Sequence, residues 1–147
     1  MPKPLKKKSP LDDNPMCKAE TTPVYQTARL LCQVCVNIRA QLPSGLKYLL
    51  GDRLVEACQM LMESILWTYV QGNLQRKVEL ARSLLRKSAR IRARLRSAYD
   101  TQKVPRSFFV EAADHLNAIE RQVTGWIGSM EKKFQDQSLA RTGDTQT

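Results

Sequence analysis

Apolar side chains recur at three- and four-residue steps through residues 23–134 of this chain, interrupted at three short breaks, and that spacing demands helices packed face to face. From Pro23 to Gln41 the stripe is Val24, Ala28, Leu31, Cys35 and Ile38, continued by Leu42 before the Pro43-Ser44-Gly45 break. From Leu46 to Val70 it is Leu46, Leu49, Leu50, Leu54, Ala57, Cys58, Leu61, Ile65, Leu66 and Tyr69, ending at Gly72-Asn73. From Leu74 to Tyr99 it is Val78, Ala81, Leu84, Leu85, Ser88, Ile91, Leu95 and Ala98. Asp100 to Val104 makes a turn, and Pro105 opens a last helix lined by Phe109, Ala112, Ala113, Leu116, Ile119, Val123, Trp126, Ile127, Met130 and Phe134. No period-2 run bounded by turns competes with this pattern. Helices of this length joined by short turns predict an all-α, antiparallel up-down four-helix bundle.

The chain has 147 residues, 42% of them hydrophobic, enough for one domain with a core of its own. Three segments are expected: a flexible basic arm over 1–22, the bundle over 23–134 and a flexible polar tail over 135–147. The arm holds Pro2, Pro4, Pro10, Pro15 and the triplet Lys6-Lys7-Lys8, with too few apolar groups to offset the entropy of ordering it. No run approaches the ~18 apolar residues of a membrane span, and the start lacks the apolar segment of a signal peptide. Four cysteines in such a chain read as reduced thiols, so a cytoplasmic protein that contacts no membrane is expected.

The net charge is +10, and the stretch 76–96 holds most of it: nine cations stand there against one acid, Glu79. Concentrated charge of this kind attracts a polyanion, where scattered charge only aids solubility. Seven of the nine are arginines, whose planar fork suits phosphate and base recognition. Arg82, Arg86, Arg90 and Arg94 step by four and form a drifting ridge beside the apolar stripe. The plain alternative is a solvated outer face, but such faces mix charge signs. A membrane-surface helix is disfavoured because the apolar side of this helix is needed for the core. Arg76, Lys77, Arg82, Arg86, Lys87, Arg90 and Arg94 are therefore the candidate nucleic-acid contacts. Arg92 and Arg96 form a second pair nearer the inward stripe. They fit either snorkelling side chains or groups that reach an interface or a nucleic acid.

Catalytic signatures are missing from the sequence. His115 is the single histidine, with no partner constellation, and there is no phosphate-cradling glycine loop, paired catalytic carboxylates or nucleophile elbow. Cys32-x-x-Cys35, with Cys17 and Cys58, invites a zinc site, but the pair lies inside a helical run without a glycine knuckle, so small apolar packing residues are expected. Trp67, Tyr69, Phe108, Phe109 and Trp126 are expected mostly in the core, with a stacking role for Tyr99 or Phe108 as a weaker option. A non-catalytic protein without metal or cofactor is the expectation.

Three segments carry a family likeness. Leu42-Pro43 followed by Lys47-Tyr48-Leu49-Leu50-Gly51-Asp52-Arg53-Leu54 is similar to the start of helix two in the small four-helix proteins typified by the ribosomal RNA intervening-sequence proteins. Residues 92–100 resemble that family's two-arginine end of helix three. Residues 122–127 resemble its Gly-Trp signature on helix four, with Thr124 where the family has a further glycine. The resemblance spans residues 25–133, and the basic charge and length point within it to the accessory variability determinant (Avd) proteins of diversity-generating retroelements. It implies a pentameric ring of four-helix protomers that binds a reverse transcriptase and its template RNA and supports mutagenic reverse transcription. It further implies that the basic surface serves RNA and polymerase binding, that Arg92 and Arg96 carry over, and that Gly125 and Trp126 are packing residues. Whether DNA is bound as well stays open.

Three other readings share the same composition. One is an intervening-sequence-type four-helix protein with no polymerase partner. A second is a small helical subunit of an RNA-guided effector complex. The third is a structural bundle whose basic face meets an acidic protein.

Overall fold

The computed structural model of the protein describes residues 10 and 17–144, so most of the expected arm over 1–22 lies outside the described residues, as does 145–147 of the tail. A short helix α1 (Cys17–Glu20) leads into α2 (Pro23–Gln41). Thr22 caps α2, its Oγ1 accepting the Tyr25 N–H at 3.4 Å, and Pro23 sits at a first-turn position that lacks a donor requirement. Leu42 is extended ahead of Pro43 and ends the helix. The buried face of α2 is the expected stripe with Val34 added.

The second long segment departs from a single α-helix. It opens as α3 (Ser44–Leu46), passes through a π-helical turn over Lys47–Gly51, and only then becomes α4 (Asp52–Val70). A π turn inserts an extra residue and rotates what precedes it around the axis. That rotation corrects the expectation for Leu49, which is 60% exposed instead of inward-facing, and leaves Leu46 and Leu50 half-buried. The turn also brings buried Gly51 against α2, where a Cβ would stand 2.6 Å from Arg39 Cγ. Arg39 Nε donates to Asp52 Oδ1 at 2.5 Å and ties the two helices at this approach.

Asn73 caps α5 (Leu74–Asp100), its Oδ1 accepting the Arg76 N–H at 3.0 Å. After Gln102, in the left-handed region at φ 58°, and Pro105, α6 runs from Arg106 to Asp144. It therefore continues ten residues past Phe134, through most of the stretch expected as a flexible tail. Among the described side chains Met130 is the last buried one on α6, and 132–141 is exposed.

The described residues are helical throughout their regular structure, with no strand among them. α2 packs on α4 and α6, and α5 packs on α4 and α6, closing four long helices around one core. Leu31, Ile38, Leu54, Leu61, Ile65, Leu84, Ile91, Leu116, Ile119 and Val123 are fully buried there. Trp126 and Ile127 bridge this core to a smaller cluster of Val78, Ala81 and Met130. Of the aromatic residues expected inside, Phe109 is buried and Tyr69, Phe108 and Trp126 are half-buried. Trp67 is a correction: it is 58% exposed, because the neighbouring Thr68 takes the inward position and satisfies its hydroxyl on the Ser64 carbonyl at 2.7 Å. No helix among the described residues is long and apolar enough to cross a membrane.

Candidate nucleic-acid interface

All nine clustered cations lie on α5, whose buried stripe runs from Val78 to Ala98. Arg76, Arg82, Arg86, Arg90, Arg92 and Arg96 are exposed, while Lys77, Lys87 and Arg94 are half-buried. Residues four apart advance about 40° around a helix, so the ridge from Arg82 to Arg94 crosses the outer face obliquely. Its near end is tied to α6, where Arg82 pairs with Glu131. At its far end Arg94 is half-buried, its Nε shielded from solvent and without a hydrogen-bond partner. Between them Arg86 and Arg90 project outward, and no carboxylate among the described residues pairs with either.

Lys77, a candidate contact outside the ridge, turns away from the outer face. Its Nζ turns to the end of the bundle, donates to the Tyr69 carbonyl at 3.0 Å, and lies 5.4 Å and 5.8 Å from the ring centroids of Tyr69 and Trp126. Burial lowers its pKa, with the charge of Lys133 as a smaller cause. This lysine ties the start of α5 to the end of α4 and lines a cavity with Tyr69 and Trp126. Lys87 is likewise half-buried and reaches back to Ser83 Oγ at 3.5 Å.

Arg92 and Arg96, left open between core edge and interface, take different roles. The Arg92 guanidinium donates to Asn117 Oδ1 and Glu120 Oε1, both at 3.0 Å, and braces α5 against α6. Arg96 makes no ion pair among the described residues, and its guanidinium lies 5.9 Å from the Tyr99 ring centroid. Both border a cleft of about 370 Å³ between α5 and α6, with Arg106 on its opposite lip. Periodicity could not point to Arg106, since it sits on another helix; its one signal was its place directly after Pro105.

Gly125, implied as a packing residue, has open space where a Cβ would stand, so the close approach lies elsewhere, at Gly51. Trp126 does pack, half-buried between the two apolar clusters. Cys35 and Cys58 are buried with their sulfurs 3.4 Å apart, and Cys32 is half-buried beside them. The Cys35 thiol is pushed up by its contact with Cys58 and by burial, and Cys32 by burial. Among the described residues no three His, Cys, Asp or Glu side chains gather as a metal site. His115 lies 3.9 Å from Glu111, one turn earlier on α6. Comparison of the chain with models of known families, with curated proteins and with solved structures finds no match.

Proposed function

We propose that this protein is a non-catalytic, nucleic-acid-binding accessory factor that gathers a reverse transcriptase and its template RNA into one complex. The observation that carries the reading is the outer face of α5, where Arg86 and Arg90 stand exposed between Arg82, which is tied to Glu131, and half-buried Arg94, with no carboxylate among the described residues paired with either. Such a face neutralises phosphates without reading base sequence, so it gathers a strand and leaves the chemistry to the polymerase. The resemblance of residues 42–54, 92–100 and 122–127 supplies the rest of the proposal. The four long helices run alternately up and down, and protomers close into a cytoplasmic pentameric ring. Leu30, Val36, Met60, Trp67 and Val70, exposed on α2 and α4, offer apolar area for the subunit contact.

Two measurements test this. Affinity for a single-stranded RNA is measured against salt for the wild type and for the variant Arg86→Ala/Arg90→Ala. The variant is expected to bind on the order of tenfold more weakly near physiological salt, with a salt slope shallower by about 0.7 for each phosphate no longer neutralised. Unchanged affinity and slope would retire the ridge. Light scattering after nuclease treatment in high salt gives the solution mass; five protomers support the ring, and a monomer or dimer removes it.

A further inference from the structure

We propose that the cleft between α5 and α6 seats a single nucleotide of the bound strand, its phosphate between Arg96 and Arg106 and its base against Tyr99. The proposal rests on the nucleic-acid-binding reading and names a second, differently built contact within it. At about 370 Å³ the cleft lies at the small end of ligand pockets, ~300–1,000 Å³, a size that suits one nucleotide and not a folded segment. Its lining holds three guanidiniums and no carboxylate. Arg92 is fixed as a wall by Glu120 and Asn117, which leaves Arg96 and Arg106 as the cations with unspent charge.

The remaining lining is apolar, with Leu95, Phe109 and Val110 among it, so a bare inorganic anion would leave most of the surface wet. Tyr99 supplies the aromatic element. Tyr99 is 41% exposed and packs in a T-shaped pair with buried Phe109, ring centroids 5.2 Å apart at 87°. With the Arg96 guanidinium 5.9 Å from its ring centroid, Tyr99 presents an aromatic surface of the kind on which unstacked bases settle. The first turn of the long helix α6, which begins at Arg106, adds the positive end of its dipole on the same side. Arg90 and Arg96 are six residues apart, about 9 Å along the axis and about 120° around it, so a strand lying over the outer face reaches the cleft by wrapping toward α6.

The test titrates the isotope-labelled full chain with adenosine 5′-monophosphate and, separately, with inorganic phosphate, following backbone amide resonances. Saturable shifts at Tyr99, Val110 and Ala113 are expected with the nucleotide, and at least tenfold weaker binding with phosphate. Arg96→Gln and Arg106→Gln, each at an exposed position, should weaken nucleotide binding at least fivefold with unchanged helicity. Tyr99→Leu should weaken the nucleotide and leave phosphate unaffected. Equal affinity for phosphate, no response to Arg106→Gln, or tighter binding of a peptide carboxylate than of the nucleotide would each overturn the proposal. Arg86→Ala/Arg90→Ala separates the two readings, since it should lose strand binding and keep the nucleotide shifts. Strand binding by the wild type without a nucleotide response overturns the cleft alone. A nucleotide response from a chain that binds no strand overturns the ridge and the strand as the nucleotide's source.

Discussion

Between Arg76 and Arg96 on α5, every exposed long side chain except Glu79 ends in a guanidinium, whereas the exposed faces of α2 and α4 hold Leu30, Val36, Met60, Trp67 and Val70. Behind both surfaces the buried stripes are alike, aliphatic side chains with a few small ones. The core therefore explains why the helices pack and nothing about why their outer faces differ. One surface gains from long-range Coulomb attraction and weakens with salt, and the other gains from removing apolar area from water.

The contrast between buried and displayed residues on α5 is sharpest at neighbouring positions. Ile91→Ala should lower unfolding stability by about 2–5 kcal/mol, since it empties a fully buried site, while Arg90→Ala beside it should stay within roughly 0.5 kcal/mol. Denaturant midpoints for the two variants check this, and a large cost at Arg90 would break the division of faces. The two glycine environments come next. Gly51→Ala should cost about 1–3 kcal/mol, because the new methyl meets the stem of Arg39 rather than a flexible tip. Gly125→Ala, with open space around it, should instead stabilise by about 0.5–1 kcal/mol. A stabilised Gly51 variant would mean that α2 yields at the π turn.

Smaller effects separate the paired from the unpaired arginines. Arg92→Ala removes an exposed ion pair and should cost about 0.2–1 kcal/mol of stability, an amount that added salt reduces. Arg86→Ala should leave stability unchanged and be visible only in RNA affinity. The smallest effect is in alkali. Cys35 and Cys32 bind their protons more tightly in the folded chain than the ordinary thiol value of 9.0, so folding favours the protonated form. That stability is fully present below pH 9 and is lost as the pH rises beyond it. Lys77, depressed from 10.5, acts in the opposite sense and gains stability as the pH climbs toward that value. The double variant Cys35→Ala/Cys58→Ala should flatten the alkaline decline in denaturant midpoint, and an undiminished decline would point away from the thiols.

The four long helices and nearly all of the core were legible in the spacing of apolar residues, though not α1, the π turn or the run of α6 to Asp144, because a 3.6-residue period places Val24 to Ile38 or Val78 to Ala98 on one side regardless of neighbours. Leu49 and Trp67 were misread for different reasons, and Phe134, 47% exposed, lies past Met130, the last buried residue of α6 among the described side chains. Period alone assumes an uninterrupted α-helix, and it ranks an aromatic residue above a threonine that can satisfy its own hydroxyl on the preceding turn. The concentration of charge on α5 was equally legible, but the fate of each cation was not. Lys77 turned inward, Arg82 and Arg92 found carboxylates on α6, and Arg106 joined the cleft from a different helix.

By itself, then, the sequence determined that this chain forms long amphipathic helices with one helix overwhelmingly cationic on its outside, since periodicity and composition are local properties of each segment. Only the tertiary structure decided which of those cations remain unpaired, that α2 and the π turn meet at Gly51, and that Arg96, Tyr99 and Arg106 border one cleft. Those outcomes depend on which side chains of separate helices come within hydrogen-bonding or van der Waals distance, and residues tens of positions apart carry no mark of it in their spacing.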